Sequence, residues 1–259
     1  MQVRRNTRLL SCVLSLSGLL LAAAASAETV SFTDVYSGGT PGSYNGGQVA
    51  SAANNVDLIG ASTFDIQSMD VSLIGTTLTV KVNTNYTNSG GPILDTVYGD
   101  LFLSTTGWHP YTTTGCGAAQ NYACDTFANT GTNWNYAVDT STGGLYAITR
   151  SNIQTTDQAY GSTHTGYTYR TGQAALITGG TYVSAASFDA THSGTGGYLL
   201  YTIDVSSMGS LATLALQWNM ICGNDTIQGQ VSVPEPVTAL LLLPGLVGVI
   251  GFRRRKHLR

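Results

Sequence analysis

The chain has 259 residues, only 10% of them charged, and a formal net charge of −3. Three of its 11 basic residues lie near the N-terminus and five lie among the last seven residues, whereas 13 of its 14 acidic residues lie between the two ends. The central segment therefore carries about −10, which argues against nucleic acid or anionic lipid headgroups as partners, because both require clustered lysine and arginine.

The N-terminus has the three parts of a secretory signal peptide. Three arginines precede an apolar stretch from Leu9 to Ala25. Ala25 and Ala27 then supply the small-x-small pattern that signal peptidase requires. The sequence predicts that residues 1–27 are removed by signal peptidase after export through the Sec machinery, which leaves Glu28 at the new N-terminus. A retained membrane anchor is the alternative, and the short apolar stretch with its clean cleavage pattern favours removal.

Residues 28–230 are predicted to form one all-β domain. Apolar alternation with a period of two is the commonest pattern, and threonine and tyrosine favour strands. Ile66–Ile74 and Leu78–Tyr86 flank Gly75-Thr76-Thr77 and predict a hairpin. With many strands and long polar loops, a β-sandwich or jelly-roll-like fold fits best. Further strands are predicted at Val97–Ser104, Leu145–Thr149, Tyr198–Val205 and Leu211–Met220.

Three cysteines remain once the signal peptide is gone. Cys116 and Cys124 are eight residues apart in a Gly- and Asn-rich segment, and the exported compartment is oxidising, so a local disulfide is predicted. Cys222 is left over, either buried as a small apolar side chain or paired with one of the others. The absence of Cys-x-x-Cys or His-x-x-x-His spacing argues against a zinc site.

Four aromatic residues lie in or beside the predicted cysteine loop: Trp108, Tyr111, Tyr122 and Trp134. Planar rings among asparagine and threonine side chains suit sugar rings, so these residues are candidate glycan contacts. The alternative is that the rings fill a small satellite core under the loop.

The sequence holds no catalytic constellation that points to an enzyme. His109, His164 and His192 lie in polar, Gly-rich surroundings, and no Gly-x-Ser-x-Gly elbow accompanies them. A glycosidase needs two carboxylates beside a cleft, but no spacing selects a pair. The candidate carboxylates are Asp70, Asp95, Asp100, Asp125, Asp139 and Asp157. Turn capping is the favoured role of these aspartates.

No cofactor or metal is expected, and calcium is the one weak candidate. Asn224-Asp225, or Asp100 with a loop carbonyl, could supply the hard oxygen ligands that calcium takes. No Asp-x-Asp-x-Asp loop is present, so turn capping is favoured here too.

The C-terminal segment, residues 231–259, is also tripartite. Pro234, Glu235 and Pro236 come first, followed by the apolar stretch Val237–Phe252 and a basic tail. As a helix, that stretch would be about 24 Å long. Tilt and local thinning can fit it to a hydrocarbon core of about 30 Å. The basic tail is held in the cytoplasm by the positive-inside rule, which places the body outside.

This order of parts resembles the PEP-CTERM sorting signal of Gram-negative bacteria. The resemblance implies that Pro234, Glu235 and Pro236 are recognised by an exosortase, which removes the following helix. The helix would then be a transient inner-membrane anchor and the tail from Arg253 to Arg259 a stop-transfer signal. An ordinary single-span anchor with a chance Pro-Glu-Pro is the alternative. A second stretch, Cys222-Gly223-Asn224-Asp225, resembles one found in a group of exosortase-dependent surface proteins and implies a shared domain without an assigned activity.

We therefore expect a non-enzymatic, exported surface or matrix protein that is associated with exopolysaccharide and biofilm. The alternatives are a secreted carbohydrate-binding module and a glycan hydrolase that uses loop aspartates.

Overall fold

The computed structural model describes residues 29–34, 62–86, 96–109, 128, 131–164, 171–193 and 196–232. Short 3-10 turns lie at Ser62–Phe64 and Arg150–Asn152, and one π-helical turn lies at Asp157–Gly161. The strands are β1 (Thr29–Thr33), β2 (Ile66–Ile74), β3 (Thr77–Thr84), β4 (Leu101–Ser104), β5 (Tyr136–Asp139), β6 (Gly144–Ala147), β7 (Ile153–Thr155), β8 (Ala174–Ile177), β9 (Thr181–Ser193), β10 (Gly196–Asp204), β11 (Leu214–Asn219) and β12 (Thr226–Val231).

Ten strands form one antiparallel sheet in the order β1-β2-β3-β10-β9-β6-β5-β4-β11-β12, and β7 pairs with β8 in a separate hairpin. The ten-stranded sheet curls into a nearly closed, barrel-like shape, with β12 approaching β2. The all-β prediction is confirmed. The hairpin predicted around Gly75 is confirmed as well, since Ile74 pairs with Thr77 across a two-residue turn and Gly75 has a φ of 61°.

The long strand β9 makes the sheet continuous where a sandwich would have two separate layers. Residues 181–185 pair with β6, whereas residues 186–193 pair with β10. A small residue, Ala186, lies where β9 changes from pairing with β6 to pairing with β10. It comes close to the β5–β6 turn and donates its N–H to the Gly143 carbonyl at 2.8 Å. A Cβ on Gly143 would lie 2.8 Å from the Ala186 carbonyl oxygen, so the turn requires glycine there.

The main hydrophobic core lies inside the curled sheet and receives side chains from both of its halves. Alternate residues of β3 and β10 point inward, as period-two patterning dictates. The β4 and β11 strands contribute from the opposite side. The inward residues of these four strands are Leu78, Val80 and Val82; Leu199, Tyr201 and Ile203; Leu101 and Leu103; and Leu214, Leu216 and Trp218.

The strands β4, β5 and β11 are buried on their outer side too. Phe102, Ala137 and Ala215 point away from the main core and join a second hydrophobic cluster with Trp134. The β7–β8 hairpin contributes Ile153 and Ala174 to this cluster and so covers the sheet. Central strands buried on both faces lose the polar–apolar alternation that marks a half-exposed strand.

The seam of the barrel lies between β12 and the β1–β2 pair. Nine antiparallel pairings separate β1 from β12, so these edge strands run in opposite directions. The end of β12 therefore lies at the same end of the sheet as the start of β1. Phe32 of β1 packs on Gly229 of β12, and the Ile66 N–H donates to Asp225 Oδ2 at 2.6 Å.

No helix among the described residues is long and apolar enough to span a membrane. The predicted C-terminal span, Val237–Phe252, lies outside the described residues.

Candidate functional site

All of the predicted processing and disulfide residues, and two of the four candidate glycan contacts, lie outside the described ranges. These are the signal peptidase residues Ala25, Ala27 and Glu28, the sorting residues Pro234, Glu235 and Pro236, the cysteines Cys116 and Cys124, and the aromatic residues Tyr111 and Tyr122.

Trp108 lies over a chain of hydrogen-bonded glutamines on the outer side of β11 and β12. Its indole N–H donates to Gln228 Oε1 at 3.1 Å, and its backbone N–H donates to Gln230 Oε1 at 2.8 Å. Gln228 donates in turn to Gln217 Oε1 at 2.9 Å, and Gln217 donates to the Ala174 carbonyl of β8 at 2.9 Å. We call Trp108, Gln217 and Gln228 the glutamine ladder; it ties β8 to β11 and β12.

Trp134 is 2% exposed and belongs to the second hydrophobic cluster. Its ring centroid lies 6.5 Å from that of Phe102, and the half-buried Trp108 packs on the same cluster. Protein atoms thus enclose the Trp134 ring, which is the satellite-core arrangement that the sequence left open beside glycan contact.

Asp100 is buried where three elements meet. Its Oδ1 accepts the Thr140 N–H at 2.8 Å from the β5–β6 turn, and its Oδ2 accepts the Ile177 N–H at 2.7 Å from β8. Burial raises the pKa of Asp100 to about 7, although these two hydrogen bonds lower it. Both oxygens accept hydrogen bonds from backbone N–H groups, so the Asp100 carboxyl holds the paired strands β7 and β8 against the ten-stranded sheet.

The Cys-Gly-Asn-Asp stretch forms the turn between β11 and β12. Cys222 is a buried free thiol, and burial raises its pKa to about 11. Asp225 is fully buried and accepts the N–H of Thr226 at 2.9 Å with Oδ1, besides the Ile66 N–H. The turn therefore closes the barrel seam, and a buried thiol with a raised pKa has little thiolate character.

Two other residues considered as catalytic, Asp139 and His164, serve local structure, whereas Asp95 and Asp125 lie outside the described residues. Asp139 Oδ1 accepts the N–H groups of Ser141 and Thr142 at 2.8 and 3.1 Å, as an Asx-turn residue does. The His164 ring stacks on Tyr160 with centroids 4.1 Å apart. Within the described ranges, no group of three or more His, Cys, Asp or Glu side chains is placed to hold a metal ion.

The outer surface of β1, β2, β3, β10 and β9 is a regular polar surface, and we call it the outer polar face. Its side chains alternate with the core residues of the same strands and are exposed or half-buried. The strand register aligns them into three rows that cross all five strands. The rows are Thr29, Ser72, Thr79, Thr202 and Ser187; Ser31, Asp70, Lys81, Leu200 and Asp189; and Thr33, Ser68, Asn83, Tyr198 and Thr191.

Hydrogen bonds hold the middle of the outer polar face in place. Asp70 Oδ1 accepts the Ser31 hydroxyl at 2.7 Å, and Asp70 Oδ2 accepts the Asn83 amide at 3.2 Å. The same amide donates to Ser68 Oγ at 2.8 Å. The Lys81 ammonium lies 4.7 Å from the centroid of the Tyr198 ring.

The alternation of polar and apolar residues predicts the outward residues of β3 and of β10 but does not predict the face as a whole. Alternation marks single strands, whereas the rows depend on the register of five strands. The β9 contribution had the weakest signal, because its inward residues are Ala186, Phe188 and Ala190 and only one of them is large.

Searches of the chain against family models, curated proteins and solved structures found no significant match.

Proposed function

We propose that this chain is an exported, exosortase-processed surface or extracellular-matrix protein of a Gram-negative bacterium, non-enzymatic and associated with exopolysaccharide. The observation that carries the proposal is the C-terminal order of Pro234-Glu235-Pro236, apolar stretch and basic tail, together with the signal peptide pattern at the other end. Exosortase, signal peptidase and the inner membrane are the partners that this proposal implies.

The position of the ten-stranded sheet between the two predicted processing sites supports the proposal. The first strand begins at Thr29, two residues after Ala27, and the last ends at Val231, three residues before Pro234. Both chain ends leave the sheet at the same end, because β1 and β12 run in opposite directions at the seam. With both ends on one side, the domain can lie with the two predicted processing sites toward the same membrane.

The roles of the aspartates support a non-enzymatic function. Asp100 and Asp225 each use both carboxylate oxygens on backbone N–H groups, and Asp139 caps a turn. A hydrolase that uses loop aspartates would need a pair of carboxyl groups free to face a substrate. The outer polar face favours the alternative of a carbohydrate-binding module over that of a hydrolase.

We also propose that the two halves of the curled sheet act as the two layers of a sandwich-like ectodomain, joined through β9. The shared core supports this description, since β3 and β10 from one half and β4 and β11 from the other fill the same interior. The predicted Cys116–Cys124 disulfide would close a local loop of this ectodomain.

The experiment is to measure the intact mass and cellular location of the full-length protein in exosortase-positive and exosortase-deleted cells. Loss of the C-terminal helix, with release from the inner membrane only when exosortase is present, is the expected result. Glu235→Gln and Pro236→Ala should block processing, while Ser232→Ala, just before the motif, should leave it intact. A full-length tail in both strains would refute the sorting proposal and leave a simple membrane-anchored ectodomain.

A further inference from the structure

We propose that the outer polar face binds an extended, uncharged, β-linked polysaccharide chain that lies across the five strands. The inference rests on the proposed function, since a protein exported to the cell surface meets such polymers there. It names a ligand class and a surface, which the sorting signal does not.

The first argument is the match between the strand spacing and a linear sugar polymer. Neighbouring strands lie about 4.8 Å apart, so a row that crosses five strands spans about 19 Å. One sugar residue of an extended β-linked glycan advances by a similar distance. Every position of the first row bears a hydroxyl group, so each strand can meet one sugar. The row is Thr29, Ser72, Thr79, Thr202 and Ser187.

The second argument is that the groups needed for binding are available and already positioned. Among the described residues, the hydroxyls of Ser72, Thr79 and Thr202 have no hydrogen bond to another protein group, so they remain open to a ligand. The neighbouring Asp70–Asn83 network and the Lys81–Tyr198 contact fix side chains beside them. Side chains that are fixed before binding lose less conformational entropy when the ligand arrives.

The third argument is the charge and composition of the face. Asp70 and Asp189 outnumber Lys81, and the segment as a whole is acidic, so an anionic polymer would be repelled. A protein partner is disfavoured, because interface hot spots are rich in Trp, Tyr and Arg, whereas the three rows offer Tyr198 and one aliphatic side chain, Leu200, with Ile74 exposed beyond their end.

The alternative to glycan binding is that these hydroxyls only keep a weakly charged protein soluble. The two alternatives differ in whether the protein binds glycan. To test this, full-length protein, purified in detergent, would be run by affinity electrophoresis through gels that contain hydroxyethylcellulose, xyloglucan, galactomannan or alginate. We expect retardation by at least one of the three uncharged β-linked polymers and none by anionic alginate. Equal mobility in all gels, or retardation by alginate alone, would overturn the proposal.

The double variant T79V/T202V tests whether the outer polar face is the surface that binds the glycan. Thr79 and Thr202 are directly paired, and valine keeps the branched shape and the strand preference while removing two hydroxyls. At the usual worth of two neutral hydrogen bonds, affinity should fall about tenfold or more. Thr181→Val is the matched control, since Thr181 is an exposed residue of β9 outside the rows. Its affinity should equal that of the wild type.

Unchanged affinity in T79V/T202V, with circular dichroism showing that it is folded, would assign the binding to another surface and refute this inference. Its failure is distinguishable from that of the sorting proposal. A protein that is processed by exosortase but binds none of the glycans refutes only the inference, while one that binds glycan but keeps its tail refutes only the sorting proposal.

Discussion

Gly229 of β12 lies where a methyl group would collide with the ring of Phe32. A Cβ built there would be 2.6 Å from Phe32 Cε2, so Gly229→Ala must push the ring off the seam. We expect the free energy of unfolding to fall by about 1–3 kcal/mol, the usual cost of overpacking. Urea denaturation of the purified protein measures it.

Gly196 provides a matched control for this substitution. It is also a strand glycine, but a Cβ there would meet only Asn85 Oδ1 at 3.7 Å, an ordinary contact. Gly196→Ala should therefore change stability little. In a Phe32→Ala background, Gly229→Ala should cost much less than in the wild type, and an equal cost in both backgrounds would show that the ring contact is not the cause.

Asp100 should make stability depend on pH. Burial raises its pKa from the ordinary value of 3.8 to about 7 in the folded protein, so the folded state favours the protonated carboxyl. Its contribution to stability is therefore fully present below the ordinary pKa and is lost as the pH rises through about 7. The difference in unfolding free energy between wild type and Asp100→Asn should shrink between about pH 4 and about pH 8.

Asp139→Asn is the control of opposite sign. Burial alone would raise the pKa of Asp139, but hydrogen bonds from Ser141 and Thr142 outweigh it and hold the pKa below 3.8. Its contribution is present above the ordinary pKa and is lost as the pH falls through the lowered value. Parallel pH profiles for the two variants, measured by urea denaturation, would contradict the assignment of Asp100.

At the residue scale, the turn role of Asp139 could be predicted from sequence, because an aspartate bonds to backbone groups two or three residues away. The role of Asp100 could not. Its partners, Thr140 and Ile177, are 40 and 77 residues distant, and only the folded chain brings their N–H groups to one carboxyl.

At the element scale, the glutamine ladder should be cooperative. Gln217→Leu removes the donor to the Ala174 carbonyl and the acceptor for Gln228 while both remain buried. Each buried polar group left without a partner costs about 1–3 kcal/mol, so we expect a loss of about 2 kcal/mol or more in the free energy of unfolding.

Two further variants test that expectation by thermal and urea unfolding. Q217L/Q228L should cost less than the sum of the single changes, because each single change leaves one polar group of the other glutamine without its partner. Gln67→Leu is the control, since Gln67 is an exposed strand residue whose side chain donates to the Asn85 side chain at the surface. Additive costs for the ladder pair would show that its members act independently.

The strands that were predicted and those that were missed differ in their inward residues. In β3 and β10 large aliphatic side chains alternate with polar ones, since one face lies on the core and the other meets water. In β11 the residues Gln217 and Asn219 look outward-facing by pattern but are buried under β8 and its surroundings. β9 is the longest strand and was not predicted, because its alanines and serines give no clear alternation.

At the scale of the whole molecule, Asp225 should hold the barrel closed. Its two oxygens accept N–H groups from Ile66 in β2 and Thr226 in β12. The two donors approach different oxygens, of which an asparagine retains only one as an acceptor, so Asp225→Asn should lower the free energy of unfolding by about 1–3 kcal/mol. Amide hydrogen exchange should quicken at Ile66 and in β1 more than in β5.

Asp139→Asn is again the control for Asp225→Asn. Asp139 takes both of its backbone donors on one oxygen, which an asparagine retains, so exchange across the seam should not change. Uniformly faster exchange in Asp225→Asn, with β5 affected as much as β1, would mean that the residue supports global stability and not the seam.

The sequence by itself determined the class of the fold and the pattern of its two ends. The alternation of polar and apolar residues in strands, and the order of apolar and basic segments at the ends, are local properties of the chain. The tertiary structure decided three things that no local pattern contains. These are the order of the ten strands, the change of partner within β9, and the alignment of hydroxyl side chains from five strands into one row. Each depends on pairings between residues far apart in the chain, and the register of those pairings follows from burial of the common core.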